Sequence, residues 1–193
     1  MFKIIRYLLS ISIAVFAVYI LKNKKAHKFK SVKIIFNFAV SIIIMIMPFE
    51  NLFLKFDSPE QAFKYTVGSN NNTIIKTIEN ENTSLIIYNE SGDIKATIIN
   101  NCNEKWKAPF LPNKQELFTL KDNSIVLITR ERKSNNFYIM ILVKSDIEIV
   151  SDNKNSVFET FSDSDKWKNF VTYVENCDDN YIIIIDENEY RIM

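Results

Sequence analysis

Histidine occurs once in this 193-residue chain, at position 27, and that count restricts most of the chemistry open to it. Residues 50–193 contain no histidine, so neither a Ser-His-Asp nor a Cys-His nucleophile pair can be assembled there. A His-ligated zinc site is excluded with them, and two cysteines, Cys102 and Cys177, cannot make a four-thiolate site. Two glycines in the whole chain cannot furnish a phosphate-cradling loop. No cofactor, metal site or catalytic residue is therefore expected. Carboxylates remain. Asp163, Asp165, Asp178, Asp179, Asp186, Glu187 and Glu189 would suit a two-acid hydrolase, which needs only a pair of acids at a suitable separation. Asp163-Ser164-Asp165 starts like a calcium loop but breaks at Lys166-Trp167, without the central glycine or closing glutamate. Acids in the turns of an acidic sheet domain are most simply solvated.

Cys102 and Cys177 stand 75 positions apart in turn or strand-end contexts. They are candidates for a disulfide, which would contribute about 4 kcal/mol through loop closure in an oxidising compartment; the alternative is two independent thiols. Trp106 and Trp167 each have lysines on both sides. They read either as exposed aromatic-basic contacts for a polymer or acidic partner, or, preferably, as indoles capping a sheet under lysine stems. Three Asn-x-Ser/Thr triplets at 71, 82 and 89 are what chance supplies in so asparagine-rich a chain.

The elements that must position these groups divide sharply by charge. Residues 1–49 hold eight basic side chains and no acid, whereas residues 50–193 hold the other 16 basic residues and all 23 acids, a net of −7. Overall charge therefore gives no nucleic-acid-binding surface. Ile4–Leu21 and Ile34–Phe49 are nearly uninterrupted apolar runs, about 27 and 24 Å long as helices, against a hydrocarbon core of about 30 Å. They predict two transmembrane helices in a domain 1–49, a multi-pass arrangement in the cell membrane. The connector 22–33 carries Lys22, Lys24, Lys25, Lys28, Lys30 and Lys33. Read as topology determinants, these lysines keep the loop cytoplasmic and place residues 50–193 outside the cytoplasm. The lipid bilayer is then one partner, and the lysines alone need no further role.

A juxtamembrane segment 50–72 follows, with a short helix expected at 58–66. Ser58-Pro59-Glu60-Gln61 reads as a helix cap: the Ser58 hydroxyl accepts from the Gln61 amide, Gln61 reaches back to the Ser58 amide, and Pro59 fits the first helical position. Residues 73–193 then form short runs rich in Ile, Val, Tyr and Phe between Asn, Asp, Gly and Ser, the pattern of antiparallel strands and tight turns. Strands are expected at 73–79, 84–89, 93–99, 115–120, 124–131, 136–144, 146–150, 168–175, 180–186 and 189–192. With so few glycines, asparagine and aspartate must supply most positive-φ turn positions. The isoleucine run 182–185 lacks alternation and reads as covered on both faces. The fold class is two N-terminal transmembrane helices followed by a mainly antiparallel β (α+β) domain with one short capped helix at its start.

The segments FDSPEQAFKYT (56–66), IIKTIENENTSLIIYNESGDIKATII (74–99) and KWKAP (105–109) resemble a family of small membrane-anchored or lipoprotein-like bacterial proteins. That family shares an S-P-E-x-A-F-x-Y motif, two or three strands and an aromatic-Lys-x-Pro element. The resemblance covers about residues 56–109 and implies a fold and a location, with no activity and no functional residue carried over. The function expected is a non-enzymatic, membrane-tethered extracytoplasmic binding module for an envelope protein, peptide or wall polymer, such as an immunity or inhibitor protein. The alternatives are a carboxylate-dependent envelope hydrolase and an accessory subunit of a transport or secretion complex.

Overall fold

Turn chemistry in a chain with almost no glycine sets where its strands reverse. Among the described residues Asn103, Asn123, Asn155, Asn176 and Asp186 adopt positive φ, and Ser91, Glu104 and Glu187 join them. Asparagine tolerates the left-handed region because its short side chain bonds back to the local backbone. Gly92 (φ 99°) completes a two-residue reversal with Ser91 (φ 56°), and the Asn89 side chain accepts the Gly92 amide at 2.8 Å. The computed structural model describes residues 2–22, 30–67, 72–121, 123–132, 134–177 and 180–192, without the side chains at 2, 3, 20–22, 30 and 163. It divides into two units, Met1–Lys55 and Phe56–Met193.

The first unit is a helical hairpin, α1 (Phe2–Lys22) and α2 (Lys30–Ile46), ending in a 3-10 turn, Phe49–Leu52. Ser10 and Ser41 meet between the helices: each hydroxyl donates to the other residue's carbonyl at 2.9 Å, with the two hydroxyl oxygens 2.8 Å apart. Farther along, the Arg6 guanidinium pairs with Glu50 at 3.2 Å. These contacts make the helices antiparallel. No helix among the described residues is long and apolar enough to cross a membrane, and this overturns the expected two spans. The reason lies in the flanking charges. Between Arg6 and Lys22 only 15 uncharged residues lie in α1, and beyond Lys33 only 13 remain in α2, about 22 and 20 Å of helix against about 30 Å of hydrocarbon. The multi-pass membrane assignment, the cytoplasmic loop and the extracytoplasmic body are withdrawn with the spans.

The second unit opens with α3 (Pro59–Val67). As expected, the Gln61 amide donates to the Ser58 hydroxyl at 3.3 Å, and Pro59 is the first helical residue. The Gln61 side chain accepts from the amide of Asp57 at 3.3 Å, not from that of Ser58. Among the described residues twelve strands follow in three antiparallel sheets. The first sheet orders β1 (Asn72–Glu79), β2 (Thr83–Glu90), β3 (Asp93–Asn101) and β4 (Trp106–Lys107) in sequence. The second orders β5 (Lys114–Thr119), β6 (Ile125–Arg130), β7 (Phe137–Lys144), β10 (Trp167–Val174) and β9 (Glu159–Asp163), and the third β12 (Asn188–Arg191), β11 (Ile182–Ile185) and β8 (Val150–Asp152).

Strand alternation stacks these elements. On β2, Ile86 and Tyr88 pack with Ala62 and Phe63 of α3 and with Trp106, while Leu85 and Ile87 turn the other way onto Tyr138, Met140 and Val171 of the second sheet. On β7, Phe137, Ile139, Ile141 and Val143 face opposite to Tyr138 and Met140 and pack on Ile183 and Ile185. The order is helix, sheet, sheet, sheet, with three apolar interfaces between them. A period of two along each strand is what permits one strand to serve two interfaces. Ile183 and Ile185 are buried, whereas Ile182 and Ile184 are half-buried, so the isoleucine run alternates after all and is covered fully on one face only. The expected strand at 146–150 is a turn with only Val150 joining β8; there the amide of Ile147 bonds the Lys144 carbonyl at 3.2 Å.

Candidate functional site

Small residues set the inner face of the hairpin and leave the large ones outside. Ser10 and Ala17 of α1 and Ser41 of α2 are buried. The side chains around them, Arg6, Ile13 and Ala14 on one helix and Ile34, Asn37 and Ile44 on the other, are half-buried. Turning about 100° per residue, the large apolar side chains then point away. Ile4 (64% exposed), Tyr7, Ile11 and Val18 project from one flank of α1, and Ile35 (69%), Phe38, Ile42 and Met45 from the matching flank of α2. Ile5, Leu9 and Phe16, with Val32, Phe36 and Ile43, occupy the opposite flank and are exposed as well. On that side Ile5, Arg6, Leu9, Ile44, Phe49 and Glu50 line a cavity of about 440 Å³. The Arg6–Glu50 pair is its polar feature, and the Arg6 Nε hydrogen is buried without an acceptor. An apolar surface this extensive is rare on a protein that functions alone, which makes the hairpin the candidate site. The exposed apolar residues of the second unit, among them Ile75, Leu117, Ile149 and Val157, are scattered over separate elements.

Two buried carboxylates organise the β unit. Glu131, just after β6, is 6% exposed and takes four donors. Thr83 Oγ1 makes a short bond to Oε1, and Tyr173 OH donates to the same oxygen at 3.2 Å; Ser134 Oγ (2.7 Å) and Asn136 Nδ2 (3.3 Å) donate to Oε2. Each donor is itself backed. Asn80 Nδ2 donates to Tyr138 OH at 2.7 Å, which in turn donates to Thr83 Oγ1 at 2.9 Å, and Asn136 donates to Tyr173 OH at 2.8 Å. The chain of donors runs from the β1–β2 turn of the first sheet to the β6–β7 turn of the second, and so ties the two sheets together. Burial and the neighbouring Glu131 push the Tyr173 hydroxyl up to about 12, and burial raises Tyr138 as well.

Asp152, on β8, is 4% exposed. It accepts Tyr181 OH at 2.6 Å and the amides of Lys154 and Ser156 at 3.0 and 2.8 Å. Burial alone would raise its carboxyl, but the bonds from Ser156, Tyr181 and the two amides outweigh that and hold it below the ordinary value. Tyr181 is pushed up by burial and by the Asp152 charge it touches. Both networks are filled by the protein's own donors, which suits them to holding sheets together.

The acids singled out by sequence fall elsewhere. Asp165, Asp186, Glu187 and Glu189 are exposed in or beside two different turns. Asp178 and Asp179 lie outside the described residues, as does the side chain of Asp163. Among the described residues no three His, Cys, Asp or Glu side chains gather as a metal site. Cys102 and Cys177 are not joined: Cys102 is exposed in the turn after β3, and Cys177 is buried in the core between the second and third sheets. The disulfide is therefore withdrawn; one thiol sits at the surface and the other deep in a different interface. Trp106 is buried under α3, as a sheet-capping indole should be, and Trp167 is half-buried. Of the connector lysines, Lys24, Lys25 and Lys28 lie outside the described residues together with His27, as do the side chains of Lys22 and Lys30, and Lys33 is exposed. Their role as topology determinants presupposed the two spans.

Set against known proteins, the chain matches no family model, no curated protein and no solved structure.

Proposed function

We propose that this chain is a non-enzymatic protein-interaction module, in which the three-sheet body is a rigid carrier and the helical hairpin is the docking element. The observation that supports this reading is the inverted hairpin: small and polar residues inside, and large apolar side chains on both outer flanks. Each such side chain left in water forgoes about 1.5–3 kcal/mol of burial, so a partner that covers the surface has a large driving force available. Specific interfaces are centred on buried aromatic and aliphatic anchors, and Phe16, Tyr19, Phe36 and Phe38 are of that kind.

The test is amine-reactive and photo-crosslinking of the tagged full chain in its own cells, read as a shift to higher mass. Adducts should weaken at least tenfold in Ile42→Glu and Phe38→Glu and persist in Asp165→Asn and Asp186→Asn. The reverse pattern, with adducts lost only when the exposed acids are neutralised, would contradict the reading.

A further inference from the structure

Resting on the hairpin as the docking element, we infer that its occupant is a second copy of this chain, two hairpins packing flank to flank in an antiparallel four-helix assembly. The contact flank is Ile4, Tyr7, Ile11 and Val18 on α1 with Ile35, Phe38, Ile42 and Met45 on α2, all exposed in the single chain.

Spacing is the first reason. Positions 4, 7, 11 and 18 recur at intervals of three, four and seven, and positions 35, 38, 42 and 45 at three, four and three. This is the heptad alternation that lets the knobs of one helix enter the holes of another at a shallow crossing angle. Both helices of the hairpin carry such a seam on the same flank, so the flank is complementary to a rotated copy of itself. That is the requirement for a two-fold interface. A four-helix bundle is also the usual way for two helical hairpins to bury one apolar face each.

Area is the second reason. The flank is about 25 Å long and about 20 Å wide, on the order of 500 Å² in projection. The relief of half-exposed side chains carries its accessible area toward the roughly 800 Å² per partner that a stable interface needs.

Charge sets the orientation. The hairpin has no acid before Glu50, its connector end carries Lys33, and its other end holds the Arg6–Glu50 pair. Parallel pairing would bring the lysine-bearing ends of both copies together. Antiparallel pairing sets each against the end where Glu50 offsets Arg6 and only Lys3 remains, a smaller positive charge than that of the lysine-rich connector, which lessens like-charge repulsion at the rim.

Sedimentation velocity and light scattering of the full chain across about 0.1–50 μM test the inference. Wild type should sediment at twice the 22.6 kDa of one chain. The double substitution Ile11→Glu/Ile42→Glu should weaken association by about 100-fold or more with the unfolding of the β unit unchanged. Phe36→Glu, on the opposite flank, should leave the dimer intact. A monomeric wild type, or a dimer that survives Ile11→Glu/Ile42→Glu, overturns the inference. So does a chain that floats with phosphatidylcholine vesicles and stays monomeric on them, since lipid is then the occupant. If the wild type is monomeric yet its crosslinks to other proteins still depend on Ile42, only the identity of the partner has failed. If no adduct depends on the hairpin, the proposed function has failed too.

Discussion

Glu131 and Asp152 occupy polar stretches, TRERKSN and VSDNKN, that read as solvated turns. Nothing in those letters marks either carboxylate as buried. Their burial depends on partners far along the chain, Thr83 and Tyr173 for one and Tyr181 for the other. Sequence reasoning therefore found the exposed acids and missed the enclosed ones. Replacing Glu131 with glutamine turns one acceptor oxygen into an amino group that faces donors already committed to it. Glu131→Gln should cost about 1–3 kcal/mol in urea unfolding, because a buried donor without an acceptor loses its hydration and gains nothing. The Asp152 carboxyl sits below its ordinary value of 3.8, so its contribution is complete above that pH and is lost as the pH falls through the lower folded value. Asp152→Asn should thus lower the thermal midpoint at pH 7 and flatten the fall in midpoint as the pH drops below about 4, measured by circular dichroism across an acid titration. A variant that keeps the full acid slope would assign that slope to other carboxylates.

At the scale of elements, periodicity carried most of the information. β1, β2, β3, β6, β7 and β10 fall within about two residues of their expected limits, because each combines β-branched residues with sharp turn signals. β4 is two residues long and β9 runs through ETFSD, so neither offers an apolar alternation to detect; both are edge strands completed by a neighbour. The helix start at Ser58 was legible because capping is local chemistry. The residue it packs on was not, since Phe63 makes its ring contact, at 4.7 Å, with Tyr88, 25 residues later. The two contributions separate by mutation. Ser58→Ala should cost about 1 kcal/mol, the loss of one cap bond. Phe63→Ala should cost about 3–5 kcal/mol, since the ring is buried between the helix and the first sheet. Equilibrium denaturation of both variants checks the ratio, and equal costs would mean that α3 is held by its cap and not by its packing.

For the whole molecule, the division into a basic apolar head and an acidic β body was visible in composition alone, and the division into Met1–Lys55 and Phe56–Met193 follows it. What the head does was not visible, because hydropathy averages the inner and outer faces of a helix. Ser10, Ala17 and Ser41 count as ordinary interruptions in a run, yet their positions decide which way every larger side chain points. The lengths of the uncharged stretches were readable, and they are too short for the spans first drawn from them.

The most direct test of the claim that the hairpin docks on a partner is hydroxyl-radical footprinting of the native full chain at tens of micromolar, read at single side chains. Phe38 and Met45 should be modified several-fold more slowly than their 41% and 44% exposure in the single chain implies, while Leu117 and Val157 react as their 66% and 80% exposure requires. Modification of Phe38 and Met45 at the full rate of the uncovered chain would contradict the account.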